Sequence, residues 1–494
     1  MRDAGRWAAV GLALAALAGG AGAQEGNQGS EFRREGNAIS TGCDKFDFKA
    51  IGKCAYTLFT DHPLHISAGS IAPQDGFGFG PAFVAHRNKG DWRLSADVDA
   101  VVSTNRSWRA GGYMTLMQDR YGRFHVEPGK LKNKLNVNRV REQPVFHVLA
   151  QAISLERILY FGLGPATSES ASAYFGMRET IAGANGAWPL LTQNLALYGE
   201  AYGRFVEIRP STGGPSPSIE QAYGQATAPG LARQPGFAQF AQGLRFTPSL
   251  GGDRVLLNYA VTIREYVAAD STYSFQRWAV DAAHQIPIVL WSRAKATVGP
   301  TSVSAWQGRQ SSPAGPSECG AGAECPTFDE ALHPDGPPEC GRATHCAAPT
   351  RNVGGSFAVS FHMEQSITQA GHVVPFYFQP TLGGSDINGS PALASYQDYR
   401  FRAPNDLLAR ASFEHSVWGP IGITAMIEEG KVALRGSDLD FTHLRHSYSA
   451  GLTLRAGGFP MVWLLFSWGG HEGTHTTGAM NTSLLGGSAR PNLY

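Results

Sequence analysis

Several groups of residues have types and spacings that could do chemistry. His471-Glu472-Gly473-Thr474-His475 matches the H-E-x-x-H pattern, in which two histidines on one face of a helix bind zinc. Gly469-Gly470 precedes this stretch, Gly473 interrupts it and threonines surround it, so its helix propensity is poor. It also directly follows the apolar run Met461–Trp468, where a hairpin turn is expected. We interpret these residues as polar turn or loop residues and predict no zinc protease.

Two glycine pairs, in Phe77-Gly78-Phe79-Gly80 and Phe161-Gly162-Leu163-Gly164, could suggest a phosphate-binding turn. Neither pair completes a G-x-G-x-x-G that opens a helix, so nucleotide binding is not supported. The sequence contains no G-x-S-x-G. A membrane phospholipase with residues on separate strands stays a minor alternative. We therefore predict that the chain is not an enzyme and has no cofactor.

The six cysteines form a pair and a cluster. Cys43 and Cys54 lie near the amino terminus, and the cluster is Cys319, Cys325, Cys340 and Cys346, in a stretch rich in glycine and proline. An even number of cysteines in an exported chain indicates disulfides, here Cys43–Cys54 and two within 319–346. A zinc site in the cluster is the alternative, although its spacings are wider than those of a usual zinc knuckle.

The overall charge gives no reason to expect a nucleic-acid partner. The chain of 494 residues has a net charge of +1, and charged residues make up only 16% of it. Glycine is abundant, with 60 residues, and aromatic residues reach 11%. Low charge with many glycines and aromatics is typical of a chain whose outer surface faces lipid and whose strands must bend.

The first 23 residues have the pattern of an export signal. Arg2 and Arg6 precede an apolar run, and Ala21-Gly22-Ala23 provides a small-residue cleavage site. Residues 24–62 are polar and mixed, and we expect them to form a short periplasmic segment. Since no later run of about 18 apolar residues follows, we expect no helical membrane anchor. An exported chain without such an anchor is periplasmic, secreted or an outer-membrane barrel.

The recurring unit from residue 63 to residue 494 is an amphipathic strand. In Trp92–Val102, apolar residues alternate with Arg93, Ser95, Asp97 and Asp99. Because side chains alternate across a strand, this pattern puts an apolar stripe on lipid and carboxylates in a wet interior. Asp281 and Glu414 are predicted to face inward in the same way. We predict an all-β fold, a transmembrane antiparallel β-barrel of about 16 strands.

Each predicted strand has about the length that a tilted membrane strand needs, roughly 9–11 residues. The predicted strands are Gly76–His86, Trp92–Val102, Ser107–Met117, Val145–Ile153, Tyr174–Ile181, Leu195–Ile208, Phe240–Pro248, Arg254–Tyr266, Ser274–Ile286, Val289–Val298, Ser356–Glu364, Val373–Pro380, Leu407–Ser416, Ile421–Glu428, Ser447–Arg455 and Met461–Trp468. The long connections at about 118–143 and 209–236, and the cysteine-rich insert at about 305–352, are expected to be extracellular or to turn inward.

One stretch, residues 376–418, carries a family resemblance. The residues that match are Leu382, Gly383, Gly384, Leu393, Tyr396, Arg400, Phe401, Arg402 and Asn405, followed by Met426–Val432 with its Glu428, Glu429 and Gly430. This arrangement resembles the strand–loop–strand segment of the BamA/TamA bacterial surface-antigen superfamily. The resemblance extends over roughly residues 60 to 494, but residues 24–62 are too short for that family's periplasmic POTRA repeats.

The resemblance implies that the loop after Gly384 folds into the lumen. In the family, an arginine of this loop reaches an acidic residue on a later strand, but Ala394-Ser395 occupies the place of the family's Arg-Gly pair. We therefore expect Arg400 or Arg402 to pair with Glu428 or Glu429, because a guanidinium and a carboxylate can form a bidentate pair that fixes a loop. The alternative is that these arginines line a solvated surface.

The resemblance also implies a place in the bacterial outer membrane. The expected role is outer-membrane protein assembly or translocation, and the expected partners are outer-membrane lipids, unfolded outer-membrane proteins or periplasmic assembly factors. The alternative is a structural, plugged barrel or a passive pore or lipid-handling channel.

Overall fold

The computed structural model describes residues 64–118, 142–191, 194–211, 214–251, 254–293, 349–418, 421–456, 459–470, 472, 474–480 and 491–493. The predicted export signal, the segment 24–62 and all six cysteines lie outside the described residues.

Strands dominate the described chain. They are β1 (Leu64–Ser70), β2 (Phe77–Lys89), β3 (Trp92–Ser103), β4 (Trp108–Gln118), β5 (Val145–Tyr160), β6 (Ala173–Pro189), β7 (Leu195–Pro210), β8 (Phe237–Phe246), β9 (Ser249–Leu250), β10 (Val255–Ala268), β11 (Phe275–Arg293), β12 (Pro349–Ile367), β13 (Thr381–Leu382), β14 (Phe401–Arg402), β15 (Asn405–Trp418), β16 (Ile421–Ala433), β17 (Arg445–Ala456), β18 (Phe459–Trp468) and β19 (His475–Met480). A single helical turn, α1 (Ile219–Ala222), precedes β8. Among the described residues, no helix is long and apolar enough to cross a membrane.

All strands except β13 and β14 belong to one antiparallel sheet. Each long strand pairs with the next one along the chain, and β12 pairs with β15 across a long intervening loop. The two-residue strand β9 lies beside β10 at a turn. Without β9, the sheet of the described residues has sixteen strands of six or more residues, which we call the long strands, and the sequence indicates the same number. The two remaining strands, β13 and β14, pair only with each other in the described structure.

Burial in the sheet is the inverse of burial in a water-soluble protein. Large apolar side chains on one face are 43–64% exposed: Val98, Val102, Phe205, Phe240, Leu244, Ile423, Ile427, Leu452, Leu464 and Phe466. Polar side chains on the other face are 0–6% exposed: Asp97, Asp99, Arg109, Glu179, Arg204, Gln239, Arg277, Glu364, Glu428 and Ser447. An apolar outer face avoids water only when lipid covers it. The fold is therefore the predicted transmembrane antiparallel β-barrel.

Antiparallel pairing fixes the end of the barrel at which each connection lies. β4 ends and β5 begins at the end where β1 begins, and β11 ends and β12 begins there too. Three long strands separate the connection 211–236 from each of these, so it lies at the opposite end, together with the loop between β12 and β15. The three long connections therefore do not all lie at one end of the barrel. The expectation that all of them are extracellular is wrong for this geometric reason, and the alternative that some of them turn inward stays a prediction.

The total of sixteen long strands agrees with the prediction although two of its members differ. Val373–Pro380 is not a wall strand, because Phe376–Phe378 is a turn of 3-10 helix inside the barrel. Residues 289–293 continue β11 instead of forming a separate strand, and the rest of Val289–Val298 lies outside the described residues. β1 and β19 are additional strands, the two shortest of the sixteen, and both are poor in large apolar residues.

A barrel of this kind should migrate differently on a detergent gel before and after boiling. Continuous pairing from strand to strand leaves few backbone groups open to detergent, so the unboiled fold should persist. The measurement is electrophoresis of the purified mature chain with and without boiling. A chain that is freely soluble without detergent and migrates identically in both samples would contradict the barrel.

Candidate functional site: a loop fixed inside the barrel

The loop between β12 and β15, residues 368–404, fills the interior of the barrel, and we call it the lumenal loop. Its residues 374–384 and 392–396 are all buried, as are residues 399–403. A connection normally runs over the surface of a protein, because a buried one must find partners for its backbone groups. The contacts below provide those partners, and they confirm that this loop folds into the lumen.

Aromatic packing holds the first part of the loop. The ring of Phe376 lies 5.2 Å from that of Tyr160 and 5.1 Å from that of Phe175. The ring of Phe378 lies 4.8 Å from that of Phe237 at the start of β8, in an edge-to-face arrangement. Edge-to-face pairs of this kind contribute about 0.5–1.5 kcal/mol each beyond the area that they bury. The backbone N–H of Phe376 also donates to the carbonyl of Pro229, 2.8 Å away.

Two glycines turn the loop back on itself after β13. Gly383 has a φ of 118° and Gly384 a φ of 60°, a conformation that side chains other than glycine rarely adopt. A Cβ at Gly383 would lie 2.5 Å from Cβ of Arg400, and one at Gly384 would lie 2.7 Å from the backbone nitrogen of Asp398. The glycine pair of the predicted latch is therefore required where the two halves of the loop meet.

The guanidinium of Arg400 is the most heavily engaged charge in the loop. Nε and Nη2 donate to the two carboxylate oxygens of Glu472, each at 2.7 Å. Nη1 donates to the hydroxyl of Thr167 at 2.8 Å, and Nη2 also donates to its carbonyl at 2.6 Å. The rings of Phe161 and Phe401 lie 5.1 Å and 4.7 Å from the guanidinium carbon. Arg400 is 2% exposed and Glu472 15%, so this bidentate pair is largely shielded from water.

Arg402 ties the loop to itself and to the wall through backbone contacts. Its Nη1 donates to the carbonyl of Phe376 at 2.8 Å and, more weakly, to that of Gln379 at 3.4 Å. The carbonyl of Arg402 accepts from the N–H of Gly164, 2.7 Å away, in an isolated bridge. Arg402 thus connects the start of the lumenal loop, its return strand and the connection after β5.

Glu428 on β16 holds the middle of the loop, but neither predicted arginine reaches it. Its Oε2 accepts from the backbone N–H of Ala394 at 2.9 Å. Its Oε1 accepts from Nε and Nη2 of Arg410 at 2.9 Å and 2.8 Å. Arg410, directly opposite Glu428 on β15, also donates to the carbonyl of Pro391 in the loop. A wall arginine and a loop backbone group together satisfy the buried carboxylate.

The predicted pairing of Arg400 or Arg402 with Glu428 or Glu429 is wrong. Glu429 faces outward and is exposed, because successive side chains alternate across β16. Gly430 faces inward, and a Cβ there would lie 3.1 Å from a methyl carbon of Leu382 in β13. Tyr396 packs edge-to-face on Phe401, with 5.1 Å between ring centroids. Apart from Glu429, the residues of the predicted latch do meet in the lumen, but their polar partners differ from the predicted ones.

Three residues of the site were not predicted to act there. Glu472 was interpreted as a polar turn residue, because the short strand β19 after it has no strong apolar pattern. Thr167 carries no charge or motif that would distinguish it in the sequence. Arg410 could have been found by counting back from Gly419-Pro420, a sequence typical of a turn, although simple counting pairs it with Glu429. An irregularity between Ser416 and Trp418 shifts the register to Glu428.

Residues 491–493 also lie in the lumen. The carbonyl of Asn492 accepts from Nη2 of Arg204 on β7, 2.6 Å away. The N–H of Leu493 donates to Oδ1 of Asn388 in the lumenal loop at 2.9 Å, and Leu493 is buried. Two separate segments of the chain therefore meet inside the barrel.

The turn between β1 and β2 supports the lumenal loop from the side of the first strand. The carbonyl of Pro73 accepts from the hydroxyl of Tyr399 at 3.2 Å, and Gln74 Nε2 donates to Asp398 Oδ2 at 3.2 Å. In the same turn, Asp75 is fully buried and accepts from the hydroxyl of Ser107. Burial raises the pKa of Asp75 to about 7, although the bond from Ser107 opposes that change.

The raised pKa of Asp75 predicts that the fold weakens as pH rises. Between the ordinary pKa of 3.8 and the raised pKa of about 7, the native state keeps a proton that the unfolded state has lost. The stabilisation from this protonated carboxyl is therefore complete below about pH 4 and is lost as the pH rises through 7. This one carboxyl contributes up to about 4 kcal/mol across that window. On heating, the gel band of the folded, unboiled chain should disappear faster at pH 8 than at pH 5. Asp75→Asn should reduce this difference in rate between the two pH values. An unchanged difference in that variant would contradict this assignment.

The fold and the site together define a class of protein, a transmembrane β-barrel with a long loop fixed inside its lumen. Among solved structures, the chain is similar to BamA from Haemophilus ducreyi lacking POTRA domains 1-3, with 10% identity, 84% of this chain and 70% of that chain covered, and a TM-score of 0.43. It is similar to CdiB from Escherichia coli, with 11% identity, 84% and 62% covered, and a TM-score of 0.41. It is also similar to a bacterial polysaccharide outer membrane secretin, with 10% identity, 84% and 93% covered, and a TM-score of 0.30. No protein-family model and no curated protein matches the sequence.

Proposed function

We propose that this chain is an outer-membrane barrel of the BamA/TamA type that takes part in the assembly or translocation of outer-membrane proteins. Its amino-terminal export pattern and its lipid-facing apolar surface support the outer membrane as its place. The matching residues of the lumenal loop support the family type. The expected partners are lipids of that membrane and unfolded outer-membrane proteins or periplasmic assembly factors.

The observation that carries this proposal is the fixed lumenal loop. The loop leaves the wall between the eleventh and twelfth long strands and meets Glu428 on the thirteenth through the backbone of Ala394. Since the loop and residues 491–493 fill the interior, the proposal places the activity at the wall and the adjacent lipid. A passive pore is a poorer fit, because an open channel needs a continuous aqueous path.

The experiment that tests the proposal is depletion of the chain from cells that express it. We expect other outer-membrane barrels to accumulate unassembled, and wild-type chain to restore them. Glu428→Gln should restore them less well than Glu429→Gln, because Glu428 holds the loop and its outward neighbour does not. Both variants must first show the heat-modifiable band, which separates loss of activity from loss of folding.

The filled interior also favours a second candidate, a structural plugged barrel without assembly activity. Depletion would then leave the other barrels assembled while the membrane becomes more sensitive to detergents. That outcome would remove the assembly role and keep the barrel. Large single-channel conductance of the purified wild-type chain in a planar bilayer would instead favour a pore.

A further inference from the structure

A second polar cluster lies on the inner wall where the lumenal loop leaves β12 and rejoins the wall at β15. His362 and Glu364 come from β12 and Asp406 from β15. One ligand atom from each side chain lies within 4.8 Å of the others. None of the three makes the Arg400 or Glu428 contacts described above.

The register places two carboxylates directly opposite each other. Glu364 and Asp406 are cross-strand partners, and each is 3% exposed. Like charges at opposed positions destabilise a sheet, and burial increases that cost. The pair therefore needs a compensating positive charge.

The arginines near the cluster leave part of its negative charge uncompensated. Arg264 and Arg277 contact Glu364 at 3.2 Å and 3.4 Å. Arg264 also approaches Glu200 at 3.7 Å, and Asp281 contacts His362. Four carboxylates thus face two guanidinium groups. A histidine that binds a metal is neutral, and with a neutral His362 the network has a formal charge of about −2, which one divalent cation would balance.

Two carboxylate oxygens of the cluster, Oε2 of Glu364 and Oδ1 of Asp406, accept no hydrogen bond from a described residue, and only the first lies near a guanidinium. Oδ1 of Asp406 is buried and accepts no hydrogen bond from any described residue. Buried carboxylate oxygens are normally satisfied, and an unsatisfied one calls for a missing ligand. His362 Nδ1 already contacts Oδ1 of Asp281 at 2.7 Å. A carboxylate in that position orients an imidazole so that its other nitrogen can bind a metal.

We propose that His362, Glu364 and Asp406 bind a divalent transition-metal ion, with Asp281 orienting the histidine. One imidazole nitrogen and two carboxylate oxygens are a donor set that suits zinc. Tetrahedral zinc ligands lie about 3.4 Å apart, so ligand atoms that are within 4.8 Å of one another here would have to approach by about 1.4 Å or less. The ion would join β12 to β15 at the base of the lumenal loop, next to Asn405, whose Oδ1 accepts from the N–H of Ser366 at 2.9 Å. This inference does not depend on the proposed function.

The test uses the full chain, folded in detergent, freed of metal with a chelator and with its thiols alkylated, which removes the cysteine cluster as a competitor. Zinc binding is measured by calorimetry on wild type, His362→Gln, Asp406→Asn and the control His147→Gln. His147 is a suitable control because its Nδ1 lies 2.8 Å from the hydroxyl of Thr115, and no carboxylate of a described residue contacts it. Every variant is first checked for the heat-modifiable band.

We expect wild type and His147→Gln to bind one zinc ion that His362→Gln and Asp406→Asn bind at least tenfold more weakly. The cobalt-substituted wild type should show the visible absorption of a site with nitrogen and oxygen ligands. Absence of binding by the folded wild type would overturn the proposal, since protons on His362 and Asp406 would then balance the charge. Equal binding by all four proteins would overturn it as well, because the ion would lie elsewhere.

Discussion

Replacing Arg400 with alanine is expected to release the lumenal loop to added protease at residues 384–400. The change leaves the carboxylate of Glu472 without its bidentate partner and Thr167 without two hydrogen bonds. Removing one partner of a well-buried ion pair costs about 3–5 kcal/mol. An exposed pair would contribute only about 0–1 kcal/mol, so the size of the effect reports how well the pair is shielded. The measurement is limited proteolysis of the folded chain in membranes.

The control for this prediction is Arg435→Ala, which removes an exposed arginine at the same end of the barrel. Glu472→Gln should also expose the loop, and the double variant should lose less than the sum of the two single losses. Additive losses, or a protease pattern of Arg400→Ala that matches that of Arg435→Ala, would mean that this pair does not hold the loop.

Replacing Glu428 with alanine is the second large change that we expect. The variant leaves a buried N–H of Ala394 unsatisfied and removes the carboxylate partner of Arg410, which is 25% exposed. The loss should approach that of Arg400→Ala, because an unpaired buried group retains its full desolvation cost. Proteolysis should cut the loop near residues 391–396, and the unboiled band should disappear at a lower temperature.

Glu428→Gln should have a smaller effect than Glu428→Ala, since the amide oxygen can still accept from Ala394. The matched control is Glu429→Ala, one residue further on the same strand but facing outward. If Glu429→Ala and Glu428→Ala expose the loop equally, the inward contact of Glu428 would not be what fixes it.

The sequence predicts the barrel because the evidence for it is periodic and repeated. The alternation of apolar and polar residues in Trp92–Val102 is found again as alternating burial in the structure. Val98 and Val102 are exposed, while Asp97 and Asp99 are buried. The short strands β1 and β19 alternate only weakly between apolar and polar residues, so alternation does not identify them. The aromatic run at Val373–Pro380 misleads for the opposite reason. Its alternation is clear, but Phe376 and Phe378 pack inside the lumen against the inner face of the wall and belong to no wall strand.

The candidate site is less predictable because its partners are distant in sequence. The glycine pair at Gly383-Gly384 and the inward loop could be recognised from a continuous stretch. The partner of Arg400 lies 72 residues away, in a segment with no strong pattern. The partner of Glu428 depends on a one-residue shift in the β15–β16 hairpin, and such a shift decides which glutamate faces the lumen.

The most direct measurement of the central claim, that the loop is fixed inside the barrel, is a cross-link between loop and wall. The N–H of Ser395 in the loop donates to Oγ of Ser447 on β17 at 2.9 Å, and both residues are fully buried. A chain with Ser395→Cys and Ser447→Cys should form a disulfide between the two introduced cysteines in intact membranes. Mass spectrometry would detect it as a cross-linked peptide. The control pairs Ser395→Cys with Thr453→Cys, on the same face of β17 but about 20 Å further along the strand. The account predicts a cross-link for the first pair and none for the second; equal cross-linking, or none in a folded first pair, would contradict it.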